Sequence, residues 1–428
     1  MPILYDIGIG LYHTGIHLAA PFNDKANKWV KGRKNIFTDL KAILNGVEHP
    51  IWMHCSSYGE YEQGKPIIDA LHKKYPDKKI LLTFYSPSGS EVVKPKEKNL
   101  IVMYLPAEGA KNAERFLNIV KPSIAIFVKY EYWYHYLHTL KKHNIPTFLV
   151  SGIFRIEQNF FQWYGKLFQT ILPCFDRIFV QDEASIELLK TIGIEHAEVS
   201  GDTRFDRVIE IAEANEISDE LESFVANSNN VLVAGSTWPK DEELISKFFN
   251  QGVKDLKLII APHEVHKEHI LQLRSLFKNG TVLWSERETE DLQKAQILII
   301  DTIGVLSRTY RYGTIAYVGG GFNDGIHNTL EAAVYGLPIL FGPNYEKFKE
   351  ARDLIEVYGA ECILDQSSFN KSLTDLTSDD DLRSKMAESS KKYVQENRGA
   401  TRKFLEYLSK EVSDLETKDL PNESNASK

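Results

Sequence analysis

The run Ile124-Ala-Ile-Phe-Val128 is apolar at five consecutive positions, with no polar residue between them. A strand with one wet face alternates apolar and polar side chains. A strand covered on both faces does not, and double covering is the habit of parallel sheets flanked by helices. Similar β-rich runs recur from residue 50 onward, at 51–54, 79–84, 100–104, 147–151 and 177–180. A second series follows at 231–235, 257–261, 281–284, 297–301, 315–319 and 338–341. Segments of helical spacing lie between them, at 61–74, 110–120, 184–192, 242–249 and 266–277. Strand–helix alternation run through twice predicts two doubly wound α/β domains.

The chain has 428 residues, enough for two domains of this kind. A polar, acidic stretch at 212–230 marks the seam, so the expected division is 35–210 and 211–413. A segment at 1–34 precedes the first domain, and a polar tail at 414–428 is expected to be disordered. The 51 basic and 59 acidic residues leave a net charge of −8, which argues against nucleic acid as a partner. Cys55, Cys174 and Cys362 stand far apart, which excludes a disulfide framework and suits a reducing compartment. No eighteen-residue apolar run is present, so the composition reads as that of a cytoplasmic protein.

The first 34 residues modify this reading. Wound as a helix, residues 3–20 place Asp6, His13 and His17 on one stripe with Leu4, Leu11 and Leu18 opposite. Lys25, Lys28, Trp29, Lys31, Arg33 and Lys34 follow. An apolar face, an interfacial tryptophan and nearby cations suit an anionic membrane surface. Taken alone, the segment reads first as a helix covering the protein's own core, because most amphipathic helices pack on protein.

In such folds ligands bind at the carboxyl ends of strands, so the residues there are the candidates. After strand 51–54 comes His54-Cys-Ser-Ser-Tyr-Gly-Glu60, where Ser57 and Gly59 suit an anion or sugar loop and Glu60 a general base. By pattern alone, Ser57 with Glu60 is a capping box. Ser86, Ser88 and Gly89 form a loop after strand 79–84, and Lys129 and Glu131 follow strand 124–128 among aromatic rings. In the second series Ser236 and Thr237 follow strand 231–235, His263 follows strand 257–261, and Gly304 follows strand 297–301. The richest stretch is Gly319-Gly-Gly-Phe-Asn-Asp-Gly-Ile-His-Asn-Thr-Leu-Glu331. Gly325 allows close backbone approach, a helix from about residue 327 would present its N-terminus to a phosphate, and Glu331 would accept from ribose hydroxyls. No Gly-x-Gly-x-x-Gly follows the first strand of either half, and no His/Asp cluster has metal spacing, so neither a cofactor nor a metal is expected.

The string His54-x-x-Ser57-x-Gly59-Glu60 resembles the signature of 3-deoxy-D-manno-octulosonic acid (Kdo) transferases. The likeness continues, in order, through Ser86-Pro-Ser-Gly89, Glu131-x-Trp133, Phe205-Asp206, Gly235-Ser-Thr237, Asp301-Thr-x-Gly304, His327-Asn-x-Leu-Glu331 and Gly342-Pro343. It implies a GT-B glycosyltransferase: two facing Rossmann-like domains with a cleft between them, the acceptor on the first and CMP on the second. It further implies inverting transfer of Kdo from CMP-Kdo to the lipid A precursor of lipopolysaccharide, without a metal at the reaction centre. Glu60 would be the general base. Ser57, Gly59, Ser86, Ser88, Gly89, Lys129 and Glu131 would serve the acceptor side. Ser236, Thr237, His263, Gly304, Gly325, His327, Asn328 and Glu331 would hold CMP. Helix-terminal N–H groups of the turn 325–328 would stabilise the leaving phosphate.

The chain departs from the family pattern at three places. Lys129-Tyr-Glu131-Tyr-Trp133-Tyr replaces Glu-Thr-Glu-x-Trp-Pro, which makes Lys129 a partner for an acceptor phosphate. Pro262-His-Glu-Val-His-Lys267 lacks the arginine of Pro-Arg-His-Pro-Glu-Arg, which leaves that nucleotide contact open with Lys267 as a candidate substitute, and Val305 stands where the family has glutamate. With a lipid acceptor implied, segment 1–34 reads as a peripheral anchor at the cytoplasmic face of the inner membrane. The alternatives are another GT-B enzyme or a sugar-nucleotide epimerase with a soluble substrate, or a non-catalytic nucleotide-binding protein.

Overall fold

The computed structural model describes residues 2–90, 93, 99–278 and 280–412. The tail expected at 414–428 lies outside the described residues. The chain divides into two compact units. Unit 1 takes the chain up to Arg207 and again from Gly399, and unit 2 is Val208–Arg398.

Unit 1 is built on seven strands: β1 (Ile51–Cys55), β2 (Ile80–Phe84), β3 (Leu100–Tyr104), β4 (Ile124–Val128), β5 (Thr147–Gly152), β6 (Arg177–Val180) and β7 (Ala197–Val199). They form one parallel sheet in the order β3-β2-β1-β4-β5-β6-β7. Every residue of β1, β2, β4 and β5 is buried. Odd and even positions go to different faces: Trp52, Ala125 and Phe127 enter one apolar cluster, and Ile51, Met53, Ile124, Ile126 and Val128 the other. The unbroken apolar runs of the sequence have this cause.

Unit 2 repeats the scheme with β8 (Asn230–Thr237), β9 (Leu256–Pro262), β10 (Thr281–Leu283), β11 (Ile297–Ile299), β12 (Ile315–Val318), β13 (Ile339–Phe341) and β14 (Ala360–Cys362). Their order is β10-β11-β9-β8-β12-β13-β14, again all parallel. The edge strands β7 and β14 have no counterpart among the expected strands. Each is only three residues long and half-exposed, so neither carries the apolar run that identifies a central strand.

The expected second domain, 211–413, requires correction at its end. The terminal helix Ala400–Glu411 returns to unit 1. Phe404 and Leu408 join the cluster of Ile126 and Phe148, with the Phe404 ring 5.2 Å from that of Phe179 and 5.8 Å from that of Phe148. Asp206 holds the start of this helix: its carboxylate accepts from the backbone N–H of Gly399 at 2.6 Å and of Thr401 at 2.7 Å. The Phe205-Asp206 motif is therefore a structural capping device, satisfying N–H groups that a helix start leaves unpaired.

Before β1 lie three helices, α1 (Pro2–Ala19), α2 (Asp24–Lys31) and α3 (Ile36–Ile43). α1 turns its polar stripe inward. Asp6 pairs with His135 at 2.6 Å, the Tyr5 hydroxyl donates to Glu108, and the rings of His13 and His17 lie against Trp29. Ile3, Leu4, Ile7, Leu11 and Leu18 face outward with more than half of their surface exposed. Two members of the expected basic surface are corrected. Trp29 is buried at 5% exposure, because Arg33 stacks on it at 4.1 Å. The Arg33 guanidinium donates to the carbonyls of Tyr85, Leu105 and Trp29, and burial lowers its pKa to about 10. Trp29 is thus withdrawn from the surface, and Arg33 is half-buried.

Phe404→Ala is expected to destabilise unit 1 by about 3–5 kcal/mol through the cavity it leaves. Hydrogen exchange should speed up at amides of β4–β6 and stay unchanged in β8–β13; acceleration confined to unit 2 would refute the assignment of the terminal helix.

Candidate active site

In a doubly wound sheet the crevice opens where strand order reverses, because there the connections from neighbouring strands leave to opposite faces. In unit 1 this point lies between β1 and β4, which pair directly with His54 opposite Phe127. The residues that follow these two strands are Ser56–Glu60 and Lys129–Trp133, two of the segments that the sequence singles out.

Glu60 occupies the first turn of α4 (Tyr58–Lys74), with Ser57 as its cap. Its Oε2 accepts from the Ser57 N–H at 2.9 Å and from the Ser57 hydroxyl. The capping box read from the sequence is present, and it holds the carboxylate at the strand end. Among the described residues Oε1 accepts no hydrogen bond. Ser86 is brought beside this loop, its N–H donating to the Ser56 carbonyl at 2.7 Å, and its hydroxyl stands 3.1 Å from that of Ser88. Gly89 packs on the ring of Phe84, leaving no room for a β-carbon. Around the Gly59 α-carbon there is room for one, the nearest atom to that position being 3.7 Å away.

Glu131 is buried at 5% exposure, within a polar network that sequence reasoning did not assemble. Its Oε2 lies 3.1 Å from His54 Nε2 and accepts the Trp133 indole N–H at 2.6 Å. His54 Nδ1 faces the Thr83 carbonyl at 3.1 Å and its hydroxyl at 2.9 Å, and the Trp52 indole N–H donates to that hydroxyl at 2.8 Å. His54 and Trp133 appear in the motifs, but only the pairing of β1 with β2 and β4 brings them together. Lys129 is held with φ of +67°, a left-handed backbone that costs a non-glycine residue about 1–3 kcal/mol. Such strain is tolerated where the chain must turn sharply at a strand end.

In unit 2 the reversal lies between β8 and β12. Ser236, with φ of +53°, makes a bulge near the end of β8 and re-aims the chain. Gly319 passes so close to this bulge that a β-carbon would lie 2.6 Å from the Thr237 α-carbon. Asp241 is buried and ties the two segments, accepting from the N–H groups of Trp238 and Gly320 at 2.9 Å each and from the Tyr317 hydroxyl at 2.7 Å. Thr237 is buried and donates to Glu242, whose other partner is His269.

The same approach creates a ring platform. The Trp238 indole N–H donates to His327 Nε2 at 3.0 Å with the two rings nearly coplanar, 9° apart. His263 stacks over both, its centroid 4.7 Å from Trp238 and 4.5 Å from His327. Burial and the neighbouring His263 lower the His327 pKa to about 4, so the ring is neutral and Nδ1–H remains as its donor. Trp238 ends the strand-end string Gly235-Ser-Thr-Trp238, but sequence reasoning gave it no role; it caps the helix Pro239–Phe249. Asn328 donates to Glu331 at 3.1 Å. Gly304, with φ of +90°, and Lys267 both lie exposed.

The helix expected from residue 327 is corrected. It spans only Leu330–Ala333, and its first N–H is taken by the Asn328 side chain at 3.2 Å. Gly336 and Pro338 follow too closely for it to continue, and four residues align too few peptide dipoles to act as an anion site. Gly325, with φ of +147°, is in the loop rather than at a helix cap.

The family described as 3-deoxy-D-manno-octulosonic-acid transferase (kdotransferase) matches residues 29–207. The chain is 27% identical over 372 residues to a 3-deoxy-D-manno-octulosonic acid transferase of Haemophilus influenzae, covering 84% of this chain and 86% of that one. In fold it is similar to a glycosyltransferase from Rickettsia africae, with a TM-score of 0.57, 12% identity and coverage of 87% and 100% of the two chains. It is also similar in fold to a UDP-N-acetylglucosamine 2-epimerase, with a TM-score of 0.58, 14% identity and coverage of 88% and 99%.

A ring with its pKa at about 4 takes up no proton between pH 8 and 5, so the His327 resonances should show no inflection near 6.5 in an NMR titration. The unfolded chain does bind that proton below pH 6.5, so His327 makes folding less favourable as pH falls from 6.5 towards 4. His327→Gln should flatten that part of the stability profile in urea titrations; an unchanged profile would show that the ring is not held neutral.

Proposed function

We propose that the chain belongs to the 3-deoxy-D-manno-octulosonic acid transferase family, which it resembles over residues 29–207, and that it transfers Kdo from CMP-Kdo to the lipid A precursor with inversion. Glu60 acts as the general base. The observation that carries this reading is the state of that carboxylate: one oxygen is fixed by the Ser57 cap at the switch point of unit 1, and the other is open to a substrate proton. An acceptor sugar hydroxyl gives its proton to Glu60 as its oxygen bonds to the anomeric carbon, and the bond from that carbon to the CMP phosphate breaks. No cofactor or metal is required by this scheme. The buried His54–Glu131–Trp133 network stiffens the acceptor side, and Lys129 pairs with an acceptor phosphate. On unit 2 the Trp238–His263–His327 platform receives the CMP moiety, with Ser236, Thr237, Asn328 and Glu331 around it.

The protein works at the cytoplasmic face of the inner membrane, as a peripheral protein. No helix among the described residues is long and apolar enough to cross a bilayer. Support for surface contact comes from the outward apolar face of α1, continued by Phe22 at 91% exposure. Lys25, Lys31 and Lys34 are exposed nearby and supply the attraction to anionic lipid, while Trp29 and Arg33 hold the helix pair together from within.

Glu60→Gln separates the two roles of this side chain. Glutamine keeps the capping box but takes no proton. Transfer from CMP-Kdo to the acceptor, followed by mass spectrometry of the product, should fall by about 10²–10⁴-fold while the melting temperature holds. Undiminished transfer would remove Glu60 from the mechanism. Leu4→Ser with Leu11→Ser and Leu18→Ser should release the protein from anionic vesicles in co-sedimentation, whereas retention at the wild-type level would count against the anchor.

A further inference from the structure

Between α1, α2 and the Ser86 loop lies a groove of about 510 Å³, a volume ordinary for a small-ligand site. Its walls are Ile16 and Ala19 of α1, Ala26 and Trp29 of α2, and Tyr85 with Pro87 of the loop. The groove is preformed. Trp29 is clamped by Arg33 on one side and meets the Tyr85 ring edge-on at 5.7 Å on another. Gly15 opens it further, since no atom lies within 4 Å of where its β-carbon would stand. The lining is mainly apolar, with Asn23 and the Tyr12 ring beside it, and Lys25 stands at the rim, exposed and with no carboxylate partner among the described residues.

We propose that this groove holds a fatty acyl chain of the acceptor lipid, a binding site that adjoins the sugar-side residues and shares Ser86 with them. The proposal rests on the acceptor reading given above. Two observations select this occupant. The groove is continuous with the acceptor loop, because Ser86 lines it and is tied by its N–H to Ser56, four residues before Glu60. The cation at its mouth complements the phosphate of a phosphorylated, acylated sugar, whose chains leave the head group where the apolar lining begins. Each methylene placed there leaves water for apolar contact. Chain occupancy would also explain why α1 carries a glycine at position 15, where leucine or alanine would make a better helix.

Gly15→Leu puts a side chain into the groove from a position with open space at its β-carbon and does not weaken the helix, and Gly8→Leu, which has equal open space at its β-carbon but lies outside the groove, is the control. KM is measured for the acylated acceptor and for its fully deacylated, water-soluble form. Gly15→Leu should raise KM for the acylated acceptor about ten-fold, the loss expected when roughly two methylenes leave the contact. It should leave kcat and the deacylated KM unchanged, and Gly8→Leu should change neither. Binding of cis-parinaric acid to the purified full chain gives a readout free of catalysis, and it should be lost in Gly15→Leu alone. Equal KM changes for both acceptors, unaltered parinarate binding, or weakened vesicle binding with unchanged KM values would overturn the groove. Failure of the unaltered chain to modify either acceptor, with parinarate binding still dependent on Gly15, would fall on the transferase reading instead.

Discussion

A parallel strand buried on both faces must satisfy its backbone N–H and C=O groups within the sheet, because neither face offers water. β1, β4 and β12 are buried along their whole length, and β8 from Val231 to Gly235. Chemistry is thereby confined to the strand ends, and strand order decides which ends carry it. In unit 1 the reversal between β1 and β4 sets Glu60 and Glu131 on neighbouring connections. In unit 2 the reversal between β8 and β12 does the same for Trp238 and His327. The glycines of the 319–321 segment and the left-handed Ser236 follow from this, since two backbones meet there with no room for side chains.

The start of the chain shows a different compromise. An amphipathic helix in a globular protein usually turns its apolar stripe to the core. α1 docks instead through Asp6–His135 and Tyr5–Glu108, and leaves its leucines to the outside. Burial raises the pKa of Glu108, while the His135 N–H and the Tyr5 hydroxyl offset that cost. The helix is thus oriented by polar contacts at the expense of an exposed apolar face.

The turns that make up the candidate site were legible in the residues, for a physical reason. Segments that must turn sharply at a strand end use small, hydroxylated or glycine residues, and Ser56–Glu60, Ser86–Gly89 and Gly319–His327 all show that composition. What stayed illegible depended on cross-strand pairing. His54 meets Glu131 only because β1 adjoins β4, and Trp238 meets His263 and His327 only because β8 lies between β9 and β12. The basic cluster at 25–34 misled for a related reason: Arg33 is indistinguishable in sequence from its exposed lysine neighbours, yet three carbonyls and three rings enclose it.

By itself the sequence determined the α/β class, the doubling of the strand series and the Ser57–Glu60 capping box, because these depend on side-chain periodicity and on contacts within one turn of helix. Tertiary structure alone decided which strand ends adjoin, that the terminal helix returns to unit 1, and which face of α1 looks outward. Each of those outcomes is a choice among partners remote in the chain, and remote pairing energies leave no local periodicity to read.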